Sequence, residues 1–320
     1  MSRVLLTGAT GFIGRHALPV LADAGHEVHA TSRGAQPECG TSAVTWHEVD
    51  LLDPRGMAKM VEEIRPELLV HLAWYAEHGR FWTASENVQW AEASLALLRA
   101  FVVCGGRRAV MVGTCAEYDW AALAAPHSST GKYTDAASVI RCHEQDTPLA
   151  PDTLYGVSKH ATHMVAQSYA EQIGLELAWA RIFFLYGPGE QNGRLVPAVV
   201  ESLLRRTPTR VTDGGQVLDF MYIDDIASAL AALLESDVCG AVNVASGVPV
   251  SVRSVIAQIA ELTGHAELVQ WGAIARTSGS PDALVADVTR LREEVGFTPS
   301  VGLAEGLRLS VDWWRGRLNA

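Results

Sequence analysis

The sequence has no excess of basic residues. It carries 25 Lys and Arg against 36 Asp and Glu, which gives a formal charge of −11, and it contains no basic block. Because nucleic-acid binding depends on contacts between basic side chains and phosphates, this balance argues against a nucleic-acid partner. At 320 residues, of which 48% are hydrophobic, the chain can instead bury a large core.

Paired cysteines and long apolar runs are also missing. The five cysteines are scattered, and none forms a Cys-x-x-Cys pair. An odd, scattered set argues against a disulfide framework or a zinc site and is typical of a reducing compartment. No apolar run reaches the roughly 18 residues that span a bilayer, and the first strand pattern leaves no room for a signal peptide. We therefore expect a cytoplasmic protein without a metal and without membrane contact.

Glycine, in contrast, is concentrated near the start of the chain. The apolar run Val4–Leu6 is followed by the sequence TGATGFIG at Thr7–Gly14 and then by an amphipathic stretch that predicts a helix. A strand, a glycine turn and a helix in this order predict a dinucleotide-binding turn. Gly8 would permit the turn, Gly11 would admit a pyrophosphate, and Gly14 would let the helix pack closely on the strand. The N–H groups at the start of the helix would then face the phosphates.

Strand and helix patterns alternate beyond this turn. The next predicted strands are Glu27–Thr31, Val44–Val49, Leu68–Leu72, Arg108–Gly113 and Glu176–Ile182. This alternation predicts an α/β fold, a Rossmann-type doubly wound parallel sheet. After residue 186 the alternation becomes irregular, which predicts a smaller C-terminal α/β lobe. We expect the sheet domain over residues 1–174, the substrate lobe over 175–320, and a return of 211–245 to the sheet.

A tyrosine and a lysine stand four residues apart in a predicted helix. Residues at this spacing share a helix face, so the Tyr155 hydroxyl and the Lys159 ammonium would point the same way. A nearby ammonium is expected to lower the tyrosine pKa from its usual value of about 10. Such a pair can exchange a proton with a carbonyl or an alcohol. Thr114, after the fifth strand, could hydrogen-bond the same substrate oxygen.

These residues belong to a longer series of motifs. The series comprises Thr7–Gly14, Asp50–Asp53, His71–Ala73, Asn87, Thr114, Tyr155–Lys159 (YGVSK), Arg181–Gly189 (RIFFLYGPG), Asp219–Ala227 (DFMYIDDIA) and Val242–Gly247 (VNVASG). With these motifs the chain resembles the extended short-chain dehydrogenases/reductases, and among them the enzymes that act on nucleotide sugars. The resemblance covers nearly the whole chain.

The resemblance implies a set of site residues. The catalytic trio would be Thr114, Tyr155 and Lys159, with Lys159 also bonding the nicotinamide ribose. Cofactor contacts would also come from Gly8, Thr10, Gly11, Phe12, Ile13, Gly14, Ser32, Arg33, Asp50, Leu51, Leu72 and Ala73. Substrate contacts would come from Trp74, Tyr75, Thr114, Arg194 and Arg276, although the two aromatic residues could equally be core residues. Many relatives pair through two long helices, here 84–103 and 153–173, so a homodimer is expected.

The end of the second strand indicates the cofactor. Enzymes that use NAD usually place an acid there to bind the ribose 2′-hydroxyl. Here Ser32 takes that place, and Arg33 beside it could pair with a 2′-phosphate or simply be solvated. We predict NADP(H) rather than NAD(H).

The residues after Thr114 restrict the reaction. Dehydratases of the family have Asp-Glu there, whereas this chain has Cys115 and Ala116. Glu117 could serve as a base only if the loop were shifted by one residue. Epimerases of the family mostly retain NAD, which fits poorly with Ser32 and Arg33. The leading hypothesis is an NADPH-dependent reductase of a nucleotide-linked 4-keto-6-deoxyhexose. A nucleotide-sugar epimerase and a non-catalytic NADP(H)-binding regulator stay open.

Two substrate positions depart from the family pattern. Phe184 stands where an Asn is usual, and Leu218 stands where an Arg is usual. Both usual residues help to bind the substrate diphosphate. Arg194 and Arg276 could replace them as diphosphate ligands, or they could be surface arginines.

Overall fold

A parallel sheet of seven strands forms the larger part of the fold. The structure, a computed structural model, describes residues 2–34, 43–123, 139–276, 279 and 281–319. With strands numbered along the chain, the spatial order is β11 (Gly240–Val244), β7 (Glu176–Ile182), β5 (Arg108–Thr114), β4 (Leu68–His71), β1 (Arg3–Thr7), β2 (Glu27–Ser32) and β3 (Val44–Glu48). The central strands consist mainly of buried apolar residues, as in a parallel sheet that is covered on both faces. This confirms the predicted fold class.

Helices cover both faces of this sheet. On one face, α1 (Phe12–Asp23) packs against α7 (Ile223–Glu235). On the other face, α2 (Pro54–Ile64) and α5 (Leu154–Ile173) each pack against α3 (Glu86–Val103). A further short helix, α4 (Trp120–Leu123), follows β5. Because helices cover both faces of the sheet, a ligand is expected to bind at the edge formed by the carboxyl ends of the strands.

Local signals fix where the helices begin. Asp53 accepts hydrogen bonds from the backbone N–H groups of Arg55 and Gly56, and Pro54 occupies the first turn of α2. The hydroxyl of Thr153 accepts a hydrogen bond from the N–H of Gly156 at 3.1 Å, which starts α5. This cap fixes the residue at which α5 begins.

A second, smaller sheet lies in the C-terminal part of the chain. Its strands are β12 (Pro249–Ser251), β10 (Val217–Tyr222), β14 (Ala283–Ala286) and β6 (Arg141–Cys142), and β8 (Phe184–Tyr186) pairs with β10. A short pair, β9 (Thr209–Arg210) and β13 (Val269–Gln270), lies apart from it. The remaining helices are α6 (Leu195–Leu204), α8 (Val252–Thr263) and α9 (Leu303–Asn319), and they pack on one another.

The stretch 211–245 divides between the two sheets, which corrects the expectation that all of it joins the large one. Helix α7 and strand β11 belong to the large sheet, whereas β10 pairs with strands of the smaller sheet. The reason lies in Asp219 of β10, which is fully buried. Its carboxylate accepts hydrogen bonds from the N–H groups of Gly247 and Ala286, at 2.9 and 3.2 Å. These bonds hold β10 in the smaller sheet.

Candidate functional site

The glycine turn between β1 and α1 is shaped for close backbone packing. Gly8 has a φ of 71°, and a Cβ there would lie 2.8 Å from the backbone nitrogen of Ala73. A Cβ at Gly14 would lie 2.1 Å from the carbonyl oxygen of Gly8. Gly11 caps α1 without a side chain, so no side-chain cap covers the N–H groups of the first turn in the described part of the chain. This geometry fits a dinucleotide pyrophosphate.

The predicted adenosine contacts follow the ends of β2 and β3. The Ser32 hydroxyl donates a hydrogen bond to the carbonyl of Gly34 at 2.9 Å, and Arg33 beside it is exposed. The Asp50 carboxylate accepts from the N–H of Leu52 at 3.0 Å, while Leu51 is buried. Both segments lie at the same edge of the sheet as the glycine turn.

His71 at the end of β4 connects three elements behind this turn. Its Nδ1 lies 2.7 Å from the Thr7 hydroxyl of β1, and its Nε2 lies 2.8 Å from the Ser94 hydroxyl of α3. Burial, together with the charge of Lys159, lowers the His71 pKa to about 3. The ring is therefore neutral and supports the segment of Leu72 and Ala73, which follows it.

The predicted catalytic residues come together at the end of β5. The Thr114 hydroxyl accepts a hydrogen bond from the N–H of Ala116 at 3.2 Å. Tyr155 is half-buried on the first turn of α5, where its N–H donates to the carbonyl of Trp82 at 3.1 Å. Lys159, one turn later, is buried, and its ammonium donates to the carbonyl of Val112 at 2.7 Å.

The pKa of Tyr155 is shifted in the direction opposite to the expectation. Burial raises it to about 12, and the neighbouring Thr114 hydroxyl only partly opposes this. The Lys159 ammonium does not lower it, because Lys159 loses its own proton well below the pH at which Tyr155 ionises. Burial lowers the pKa of Lys159 itself to about 7. Tyr155 is therefore protonated at neutral pH and is placed to donate a proton.

An aromatic wall surrounds Tyr155. The Phe81 and Trp82 rings meet the Tyr155 ring edge-on, with centroids 4.8 and 5.8 Å away. Trp120 packs edge-on against Trp82 at 5.9 Å and donates its indole N–H to the carbonyl of Cys115 at 3.0 Å. Trp120 was not predicted, because it lies in a stretch that shows no helix or strand pattern. The wall gives the Tyr155 side chain an apolar surrounding.

The two predicted aromatic substrate contacts have different surroundings. The Trp74 ring lies under the Lys159 ammonium, with Nζ 3.8 Å from its centroid. The Tyr75 hydroxyl donates to a carboxylate oxygen of Glu77 at 2.7 Å, on the exposed side of the loop. Trp74 therefore contacts a predicted catalytic residue, whereas Tyr75 contacts a surface acid.

The two candidate arginines also differ. Arg194 lies at the start of α6, with its guanidinium carbon 5.3 Å from the centroid of Phe81, one of the rings beside Tyr155. Arg276 is instead held by two carboxylates: its Nε lies 2.8 Å from Asp213 and its Nη1 lies 2.7 Å from Asp282. The charge of Arg276 is thus compensated within the protein, and part of the Gly-Ser-Pro stretch after it lies outside the described residues.

Glu117 is part of a buried network behind Thr114. One carboxylate oxygen accepts from the N–H groups of Thr114 and the Trp179 indole, both at 2.9 Å. The other oxygen lies 3.1 Å from Nε of Arg181. These partners direct the carboxylate into the protein interior, so it is not available as a base for a substrate.

Two histidines of α5 border this network. The Nδ1 atoms of His160 and His163 lie 4.0 and 3.8 Å from the Glu117 carboxylate, so the three side chains form a group of metal-ligand type. Burial lowers the pKa of His163 to about 3, which keeps the ring neutral. The Arg181 guanidinium already pairs with the carboxylate oxygen that a metal ion would need, and its positive charge would repel a cation.

Glu190, in the loop before α6, is a functional candidate that the sequence did not reveal. Its side chain is only 8% exposed, and one carboxylate oxygen has no hydrogen-bond partner among the described residues. Burial raises its pKa to about 8, although the charge of Arg194 opposes this. An acid that is neutral because of its surroundings leaves no mark in the sequence.

Comparison with known proteins places the chain in a family. The model of the NAD dependent epimerase/dehydratase family matches residues 4–245. The chain belongs to this family. The expected resemblance to the extended short-chain dehydrogenases/reductases is therefore confirmed, and the protein is an enzyme of the family that uses a nicotinamide dinucleotide.

Individual relatives in the NAD dependent epimerase/dehydratase family differ in reaction. The chain is 26% identical to a probable UDP-glucuronate 4-epimerase of Rhizobium meliloti (strain 1021), over 98% of this chain and 96% of that protein. It is 26% identical to a dTDP-4-dehydro-6-deoxy-D-allose reductase of Streptomyces sp, over 98% and 96%. The UDP-glucose 4-epimerase of Thermus thermophilus, solved in complex with NAD, is 28% identical with a TM-score of 0.80, over 98% and 99%.

Of the helices within the described residues, none combines the length and the apolar character needed to cross a bilayer.

Proposed function

We propose that this enzyme is an NADPH-dependent reductase of a nucleotide-activated keto-sugar, most specifically of a nucleotide-linked 4-keto-6-deoxyhexose. The observation that carries the proposal is the set of side chains around Thr114. A proton donor, Tyr155, and a buried lysine, Lys159, lie beside it, but no carboxylate next to it faces the site within the described residues. This arrangement supports proton and hydride transfer at a carbonyl rather than elimination of water.

The three residues after Thr114 support this choice individually. Cys115 is buried, and burial raises the pKa of its thiol, so it is not a thiolate base. Ala116 has no titratable group. The carboxylate of Glu117 is bound by Arg181 and Trp179. An elimination mechanism needs an acid and a base at this place, and these three residues offer neither.

The reduction itself follows from the protonation states. The turn of Gly8, Gly11 and Gly14 would hold the cofactor, and when bound the nicotinamide would supply a hydride to the carbonyl carbon. The Tyr155 hydroxyl would donate its proton to the carbonyl oxygen, with the Thr114 hydroxyl bonded to the same oxygen. Lys159 would keep a positive charge nearby, which stabilises the tyrosinate that remains. The aromatic wall would exclude water from the reacting carbonyl.

The cofactor is proposed to be NADP(H). Arg33 is exposed beside the end of β2, and Ser32 removes the acid that would bind a free 2′-hydroxyl. An arginine in this place can form charge-assisted hydrogen bonds with a 2′-phosphate. Relatives that carry NAD in their structures provide the contrast against which this preference can be measured.

An epimerase is the second candidate, and the relative from Rhizobium meliloti favours it. An epimerase would retain its nicotinamide and turn over without added reductant. A non-catalytic NADP(H)-binding regulator is the third, but it would have no use for Thr114, Tyr155 and Lys159 together.

The substrate diphosphate is assigned to Arg194, which lies near Tyr155. Arg276 could take part only if a phosphate replaced one of its two carboxylate partners. We further propose that the enzyme acts in the cytoplasm and that it forms a homodimer through α3 and α5.

NADPH oxidation with a panel of dTDP-, CDP-, GDP- and UDP-linked 4-keto-6-deoxyhexoses tests the proposal. Oxidation with one member, lost in Tyr155→Phe, would support the reductase and identify the nucleotide. If no member is reduced but a sugar is epimerised without added cofactor, the result would favour the epimerase over the reductase.

A further inference from the structure

The Lys159 ammonium is buried with little compensation. Its one hydrogen bond among the described residues is to the neutral carbonyl of Val112, at 2.7 Å, and it forms no ion pair there. A buried ammonium that lacks a carboxylate partner tends to lose its proton. A direct contact that favours the charged form is the Trp74 ring, whose centroid lies 3.8 Å from Nζ.

Trp74 is fixed in this position. Its indole N–H donates to the side-chain oxygen of Asn87 at 2.8 Å. The Asn87 amide group in turn donates to the carbonyls of Phe81 and Ala84, at 2.7 and 2.9 Å. Asn87 therefore couples the indole to the loop that carries the aromatic wall, and the indole face cannot turn away from Lys159 without breaking this bond.

We propose that Trp74 is a positioning residue that keeps Lys159 protonated by offering it the face of its indole ring. An aromatic face attracts a cation most strongly where water is excluded, and tryptophan does so best. For its consequence in catalysis the inference rests on the proposed function, because a protonated Lys159 is needed there to stabilise the Tyr155 tyrosinate. The contact itself is independent of the reaction.

Other groups around Lys159 do not replace this contact. His71 of β4 is neutral, with a pKa lowered to about 3. Glu117, after β5, raises the Lys159 pKa through space, but its carboxylate is paired with Arg181 of β7. Tyr155 on α5 is itself protonated at neutral pH. The indole is thus the contact that can be altered without adding or removing a formal charge.

The lysine content makes a direct measurement practical. The chain has three lysines, Lys59, Lys132 and Lys159. Labelling of lysine with ¹³C at the ε carbon therefore gives three NMR signals, which Lys59→Arg and Lys132→Arg assign by loss. The pH titration of the third signal reports the Lys159 pKa without any assay of activity.

Two substitutions separate the aromatic face from the volume of the side chain. Trp74→Leu removes the face, and we expect the Lys159 pKa to fall by about one pH unit. Trp74→Phe also shortens the side chain but keeps a face, so the pKa should stay close to that of the unaltered protein. Trp313→Leu on α9 is the matched control and should leave the Lys159 signal unchanged. An equal pKa in the Leu and Phe variants, or a rise in Trp74→Leu, would overturn the inference.

Fluorinated tryptophan provides a second measurement that does not depend on how Trp74→Leu folds. Fluorine withdraws electron density from the ring face and leaves its shape nearly unchanged, so the Lys159 pKa should fall as fluorine atoms are added. A Lys159 pKa that does not change with fluorination would contradict the inference. The alkaline limb of kcat/KM should move with the NMR pKa. If the NMR pKa moves as expected but no keto-sugar is reduced, the inference stands and the proposed function fails.

Discussion

Nε of Arg181 lies 3.1 Å from the carboxylate of Glu117, and both side chains are almost completely buried. The pair lies behind Thr114, whose N–H donates to the same carboxylate group. Because a charge buried without its partner is strongly unfavourable, this ion pair fixes the turn that carries Thr114.

Glu117→Gln should destabilise the protein. Because the amide would leave the buried Arg181 charge unpaired, the free energy of unfolding should decrease by about 3 kcal/mol. Glu305→Gln, which breaks an exposed pair with Arg308, should destabilise the protein far less, because solvent screens that pair. Urea unfolding of both variants measures the two losses of stability. Equal losses would contradict the structural role, and a stable but inactive Glu117→Gln would make Glu117 a candidate base.

Tyr155→Phe should reduce kcat by about 10²- to 10⁴-fold, because the proton donor is lost. Binding of NADPH, followed by fluorescence, should change little, since the ring and its packing against Phe81 remain. Tyr169→Phe, on the same helix, is the matched control. A Tyr155→Phe enzyme with full activity would refute the assigned acid.

Arg33→Ala should reduce the preference for NADPH over NADH by about tenfold or more, because a charge-assisted contact with the 2′-phosphate is lost. Affinity for NADH should stay the same. Arg107→Ala, an exposed arginine just before β5 at the opposite edge of the sheet, should leave both affinities unchanged. Binding titrations with NADPH and NADH measure this preference. An unaltered ratio of the two affinities in Arg33→Ala would argue against the NADP(H) assignment.

Glu190 should make stability depend on pH. In the folded chain the pKa of Glu190 is about 8, whereas an exposed glutamate has a pKa of about 4.3. Between these values the unfolded chain binds fewer protons, so stability decreases as the pH rises. Glu190→Gln lacks this proton, and its stability relative to the unaltered protein should increase by up to ~1.4 kcal/mol per pH unit across this window.

Urea unfolding of both proteins at about pH 5 and about pH 8 measures this difference. Parallel changes in the two proteins would show that Glu190 ionises normally.

Apolar side chains of α3 and α5 should form a dimer interface. Met164 and Val165 of α5 are 60% and 54% exposed, and Val88 of α3 is 49% exposed. Replacement of Met164 and Val165 by Glu should convert a dimer into monomers. Val248→Glu, at a site 52% exposed outside these helices, is the control. Sedimentation velocity distinguishes the species, and an unaltered dimer in the double variant would place the interface elsewhere.

Local patterns in the sequence predicted the first part of the fold well. Strand β7 has its predicted bounds, and β5 extends one residue further, to Thr114. Such strands are short apolar runs between turns, and their signal is local. The glycine turn was equally predictable, because Gly8 and Gly14 are required by contacts within a few residues or with the adjacent strand.

Features that depend on distant contacts were not predictable. The assignment of β10 to the smaller sheet depends on the carboxylate of Asp219 bonding backbone groups of residues 247 and 286. The pKa of Tyr155 was predicted with the wrong sign, because the spacing of Tyr155 and Lys159 shows their common face but not the depth of their burial. Trp74 likewise gives no sign in the sequence that it lies under an ammonium.

The smaller sheet includes a strand from the first half of the chain. Strand β6, at Arg141–Cys142, pairs with β14, at Ala283–Ala286. The amide of Asn243 joins the same region by donating to the carbonyls of Cys142 and Asp287. A contact of such long sequence separation forms slowly, since a long loop must close first. During synthesis on the ribosome β6 therefore stays unpaired until nearly the whole chain has emerged, and completion of the smaller sheet is the late step of folding.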